Sequence, residues 1–222
     1  MTKFNLSISK KIILLFLSFK PLYSAEMTDP IKVDWSFKGL TGTFDRASLQ
    51  RGFQVYKEVC SSCHSMQYLS YRNLGESGGP EFTEAEVKAI AASFEVTDGP
   101  DSQGEMFTRP GRPSDMFVSP HPNKEAAAAA NGGAYPPDMS VLVKARKGGA
   151  NYIYSVLVGY EDPPPGVTLD QGVYYNKYMI GNKIKMPNNL EDGLIEYADG
   201  TVSTVDQMAK DVTCLLYTSP SP

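Results

Sequence analysis

Two thiols and an imidazole fall within five residues, Cys60-Ser61-Ser62-Cys63-His64, and no other feature of the chain restricts its fold so tightly. Such a pair of cysteines can form thioether bonds to the vinyl groups of a haem while the adjoining histidine reaches the iron, provided the five residues make one turn at a helix end. The preceding sequence supplies that helix. Asp45 is a capping residue, and Leu49, Phe53 and Tyr56 recur on one face, so a helix is predicted to run straight into Cys60. Zinc would need four ligands, and the chain offers only His121 and Cys214 as further imidazole or thiol. A thioredoxin-like redox pair is expected in an α/β context after a strand, whereas this motif follows a helix. The motif therefore predicts one covalently attached haem c, with His64 on the iron and electron transfer as the chemistry.

The N-terminus agrees with export. Lys3, Lys10 and Lys11 precede the apolar run from Ile12 to Phe19, and Ser24-Ala25 follow. That is the layout of a secretory signal over residues 1–25, and the run is too short to span a bilayer. Removing it takes away four lysines and no acid, leaving 17 basic against 25 acidic side chains, a net charge of −8. No nucleic-acid partner is expected from that balance. Eight acids lie between Glu76 and Glu105 against the single cation Lys88. Such a run is either a solvated face or a docking surface for a basic partner.

The sixth position on the iron could be filled by a methionine thioether or by a second imidazole. Met186 stands out among the methionines because Pro187, with its fixed φ, follows it in a loop rich in Gly, Lys and Asn. His121, in Pro120-His121-Pro122, is the alternative.

Along the rest of the chain short helices alternate with long loops, as sixteen prolines and nineteen glycines suggest. Thr83-Glu84-Ala85-Glu86 reads as a capping box ahead of Val87, Ile90, Ala91 and Phe94. The stretch from Thr97 to Asn123 shows no periodicity. Helices are predicted over 125–130, over 139–147 behind Pro136-Pro137-Asp138, and over 152–158. Residues 161–189 read as loop with a strand-like Gly172-Val173-Tyr174-Tyr175, and Thr204-x-x-Gln207 caps a last helix ending at Val212.

From about Trp35 to Val212 the chain resembles the cytochrome c1 family, the haem subunits of ubiquinol–cytochrome c reductase. The resemblance runs from Arg51 through Met66 and resumes at Gly104-Glu105-Met106-Phe107 and Arg109-Pro110-Gly111. It continues at Ala134-Tyr135-Pro136-Pro137-Asp138-Met139-Ser140, Lys144-Ala145-Arg146, Tyr174-Tyr175-Asn176, Asp199-Gly200-Thr201 and Val205 to Val212. It implies an all-α, cytochrome c-type haem domain with long loop insertions, over residues 26–213. It also implies that Met186 is the sixth ligand, that Arg146 pairs a haem propionate, and that Pro136, Pro137 and Tyr152 line the haem crevice.

The implied function is to accept an electron from a Rieske iron–sulfur protein and donate it to a soluble cytochrome c, beside cytochrome b. The implied location is the periplasmic face of the inner membrane or the equivalent intermembrane face. Such a chain is a carrier within an enzyme complex and not an enzyme by itself. An exported cytochrome with an open haem site, acting as a redox enzyme or sensor, is the competing reading.

Two departures from the family stand out. Asn188 and Asn189 follow Pro187 where further prolines are usual. The family continues into a C-terminal membrane anchor, whereas this chain ends Cys214-Leu215-Leu216-Tyr217-Thr218-Ser219-Pro220-Ser221-Pro222. Residues 214–222 are read as a non-native tail in place of that anchor.

Overall fold

The computed structural model describes residues 28–218; the predicted export signal lies outside them. Their helices are α1 (Arg46–Glu58), α2 (Glu84–Ala92), α3 (Lys124–Ala130), α4 (Gly149–Val158) and α5 (Val205–Thr218). Two antiparallel hairpins complete the framework, β1 (Glu95–Asp98) with β2 (Phe107–Pro110), and β3 (Tyr174–Tyr175) with β4 (Lys183–Ile184). The architecture is largely helical, as expected, and among the described residues no helix is long and apolar enough to cross a membrane.

The core is organised by α1 against α5, the most extensive helix pair. The Asp45 carboxylate accepts from the Ala47 amide at 3.0 Å and starts α1, which buries Leu49, Phe53 and Tyr56 as the spacing predicts. The two helices cross at Gly52, where any Cβ would stand 2.2 Å from the Asp211 carbonyl oxygen. Glycine is required there by the close approach of two backbones. Asp211 is fully buried beside that crossing. Its carboxylate accepts from Arg51 Nε at 2.9 Å, Ser48 Oγ at 2.6 Å and Gln207 Nε2 at 3.1 Å, so the charge is paired and its lone pairs are used.

Several local expectations hold. Thr83 and Glu86 form the reciprocal capping box of α2, and Val87 and Ala91 are its buried positions. The helix expected over 125–130 is present as α3, and Asn123, not singled out in the sequence, starts it by accepting from the Ala126 amide. Thr204 accepts from the Gln207 amide at 3.1 Å to start α5.

Three expectations need correction. The stretch from Thr97 to Asn123 is not featureless. Glu95–Asp98 pairs with Phe107–Pro110, and Arg109 ties β2 back to Asp98 and onward to Asp115. The helix predicted over 139–147 is a run of turns, with isolated bonds such as Ala145 N to Val141 O at 3.0 Å. The last helix does not stop at Val212. It continues to Thr218 because Leu215 and Leu216 extend the apolar face of Met208 and Val212 into the core, each side chain contributing on the order of 2 kcal/mol. Tyr217 then stacks on Phe37 with ring centroids 4.2 Å apart.

Candidate haem site

At the C-terminal end of α1 the chain tightens into a single 3-10 turn, Cys60–Ser62, and the amides of Cys63 and His64 both donate to the Cys60 carbonyl, at 3.2 and 2.9 Å. That turn brings both thiols and the imidazole to the wall of one cavity. The cavity has a volume of about 580 Å³, inside the range of about 300–1,000 Å³ usual for cofactor sites. Neither Cys60 nor Cys63 is engaged in a disulfide, and burial pushes the Cys60 thiol up to about 12.

The His64 ring is fixed from behind. Its Nδ1 lies 2.8 Å from the Pro137 carbonyl oxygen. A carbonyl only accepts, so Nδ1 carries the proton and Nε2 keeps its lone pair. Burial lowers the pKa of His64, which keeps the ring neutral as a metal ligand requires. The Tyr56 hydroxyl donates to the His64 carbonyl at 3.3 Å.

The residues after His64 are laced to the Pro137 segment. Asp138 accepts from Ser65 Oγ at 2.6 Å, from the Gln67 amide at 2.9 Å and from the Ser140 amide at 2.9 Å. Met139 N donates to the Ser65 carbonyl at 2.8 Å, and the Tyr68 amide to Ser140 Oγ at 3.1 Å. Asp138 is the residue that the sequence reading passed over. An aspartate two residues before a serine is an Asx-turn signal, but its hold on Ser65 and Gln67 spans about seventy residues and leaves no local trace.

A second wall comes from the β3–β4 excursion, which continues into Met186. Buried Asn176 fastens this excursion to α4 by donating to the Val156 carbonyl at 2.8 Å. The Tyr160 hydroxyl donates to the Met186 carbonyl at 2.9 Å, and Lys185 Nζ donates to the Gly132 carbonyl at 2.9 Å. These two bonds brace the Met186 loop.

The residues expected to form the haem site meet in this one cavity. Cys60, Cys63, His64, Met186, Arg146, Tyr152 and Pro137 all line it, along with Pro136. His121 does not; its Nε2 is buried without a hydrogen-bond partner elsewhere among the described residues. Arg146 is exposed at the cavity and forms no ion pair among the described residues. The donor set fits a haem: two thiols on one turn, a neutral imidazole with Nε2 free, a thioether, apolar walls and a guanidinium suited to carboxylates. No cluster of three or more His, Cys, Asp or Glu side chains suited to a metal ion occurs among the described residues.

None of the eight acids between Glu76 and Glu105 lines the cavity. Glu84 pairs with Lys88, Glu86 closes the α2 cap, Asp98 pairs with Arg109, Glu81 accepts from the Gly78 amide, and Asp101 accepts from the Gln103 and Glu105 amides, so five of them have structural work.

Comparison with known proteins gives a consistent picture. The model of the Cytochrome C1 family matches residues 35–222. The chain is 52% identical over 188 residues to the mitochondrial cytochrome c1-2 heme protein of Solanum tuberosum, covering 85% of this chain and 71% of that protein. It is 48% identical over 194 residues to the mitochondrial cytochrome b-c1 complex catalytic subunit of Candida albicans, covering 87% and 66%. It is 49% identical over 207 residues to cytochrome b/c1 of Bradyrhizobium diazoefficiens, covering 85% of this chain but only 30% of that longer protein.

Proposed function

The chain belongs to the cytochrome c1 family, and from that premise we propose that it is a haem electron carrier of the respiratory chain, working inside a cytochrome b-c1 complex. Cys60 and Cys63 would hold one haem through thioether bonds, and His64 Nε2 and the Met186 sulfur would be the residues that ligate its iron. The observation that carries this is the convergence of the Cys60–His64 turn and the Met186 loop on one apolar cavity. When bound, the haem supplies a one-electron couple that a methionine axial ligand places at high potential.

The protein's own residues set the conditions for that couple. Pro137 fixes the His64 tautomer, Asp138 holds the segment behind it, and Tyr160 and Lys185 brace the Met186 loop. Arg146 would take a propionate, and Pro137 and Tyr152 would form part of the crevice wall, since all three line the cavity. No bond is made or broken in the substrate sense, so the chain is not an enzyme on its own.

The electron arrives from a Rieske iron–sulfur protein and leaves to a soluble cytochrome c, with cytochrome b as a neighbour. The domain is exported by residues 1–25 and works at the periplasmic or intermembrane face. Exposed acids whose carboxylates make no bond among the described residues, such as Glu76 and Glu105, favour a basic acceptor. Stopped-flow oxidation of the haem-loaded, reduced protein by a basic cytochrome c tests this. The second-order rate should fall steeply as ionic strength rises, because the Debye length shrinks from ~10 Å at 0.1 M to ~3 Å at 1 M. A rate independent of salt contradicts electrostatic docking. Rapid carbon monoxide binding by the reduced form would instead support an open-site enzyme or sensor.

A further inference from the structure

Two thioethers from one excursion of the chain reach the same cavity. Met186 follows β4, and Met179 lies between β3 and β4; both line the cavity with His64. Met139 also touches it, but that residue is buried, and its amide is tied to Ser65, next to His64. Methionine side chains are unbranched and adaptable, so the β3–β4 excursion presents two candidate sulfurs where one is needed.

The two sulfurs are treated differently. The Tyr152 hydroxyl donates to Sδ of Met179 at 3.2 Å. Among the described residues nothing hydrogen-bonds the Met186 sulfur, and Met186 is held instead through its carbonyl by Tyr160. The backbone of Met179 is fixed on both sides: its amide donates to the Asn176 carbonyl at 3.2 Å, and its carbonyl accepts from the Asn182 amide at 2.8 Å. Its side chain can change rotamer, but the residue cannot travel. Tyr152 stands on α4, so the hydroxyl that engages Met179 is carried by a rigid element.

We propose that Tyr152 selects the sixth ligand, its hydroxyl engaging the sulfur of Met179 and leaving Met186 as the thioether that faces the iron. Tyr152 is thus a positioning residue acting through Met179. The selection rests on the pairing of His64 with Met186 proposed above.

The test uses the haem-loaded chain with its methionine methyls labelled with carbon-13, reduced and followed by NMR. A methionine methyl on haem iron is shifted far upfield by the ring current. Met186→Leu should leave a minority of molecules with such a signal, now from Met179. Adding Tyr152→Phe should raise that minority about fivefold, the factor carried by one net hydrogen bond of ~1 kcal/mol. Adding Met179→Leu should abolish it. Equal populations with and without Tyr152→Phe, or no signal in either variant, overturn the proposal. A second, milder variant reads the same point: Met179→Leu alone should leave the parent's ligand signal in place, and its loss overturns the proposal. If Met186→Leu leaves the parent signal untouched, the pairing of His64 with Met186 is itself wrong and the selection falls with it. Haem staining on a denaturing gel and far-UV circular dichroism, unchanged across the set, separate lost ligation from lost fold.

Discussion

Replacing Asp211 by alanine should be among the most destabilising single changes in the α1–α5 interface. The carboxylate is fully buried, and the Arg51 guanidinium facing it is only 13% exposed. Removing one partner of a buried pair leaves the other charge uncompensated, at a cost of about 3–5 kcal/mol. Ser48 Oγ and Gln207 Nε2 also lose their acceptor. Arg51 keeps one bond, to Asp199, which offsets part of the loss. A net loss of about 3 kcal/mol follows. Urea is the right denaturant because it does not screen the charges being tested. With a slope near 2 kcal/mol per molar for a domain of this size, the midpoint should fall by about 1.5 M. Asp199→Ala breaks the other arm of the same guanidinium, but that carboxylate is solvated, so its midpoint should barely move. If the two variants shift the urea midpoint equally, burial is not what makes the Asp211 contact matter.

Gly52→Ala should also destabilise. To relieve a 2.2 Å approach the helices must part by about 1 Å. Overpacking of about 1–3 kcal/mol then outweighs the gain of about 1 kcal/mol from alanine within a helix, and a urea midpoint at or above the parent's would refute the crossing. Asp138→Ala should loosen the segment after His64, raising amide exchange of Gln67 and Ser140 about tenfold, and unchanged protection would remove Asp138 from that role. Arg109 holds the Asp115 carboxyl down to about 2 by direct hydrogen bonding. A depressed carboxylate stabilises the fold above the ordinary range near ~3.9, and that stability is lost as pH falls toward about 2. Urea midpoints of Asp115→Asn should therefore fall less steeply than the parent's between those values, and parallel curves would show that the contact contributes no linkage.

How far the molecule could be read from its sequence depends on the range of each interaction. The Asp45 cap, the Leu49-Phe53-Tyr56 face and the Thr83–Glu86 box are settled within one or two turns of chain, and all three are present as read. The turn at Cys60–His64 and the proline after Met186 are equally local, which is why Cys60, Cys63, His64 and Met186 can be picked out from the residues themselves, whereas Arg146, Tyr152 and Pro137 come in only through the family resemblance. The lace from Asp138 to Ser65 and Gln67, the brace from Tyr160 to Met186 and the Asn176 bond to α4 join residues far apart, and each looks like an ordinary loop or helix polar group by itself. The turns at 139–147 were misread for the same reason. That segment has helical propensity, but at its start the Met139 amide donates to the Ser65 carbonyl, the Asp138 carboxylate accepts from Ser65 and Gln67, and the Ser140 hydroxyl accepts from the Tyr68 amide. The end of α5 is legible in the sequence: Met208, Val212, Leu215 and Leu216 keep a helical period past Val212, where the helix was expected to end.

The central claim is that Cys60 and Cys63 carry one haem in thioether linkage. The intact mass of the denatured chain, recovered from a host with cytochrome c maturation machinery, tests it most directly. The account predicts a chain heavier by one haem, with the gain lost in the Cys60→Ala/Cys63→Ala variant. A parent chain that shows only its polypeptide mass after denaturation, although its folded form is coloured by haem, would contradict it.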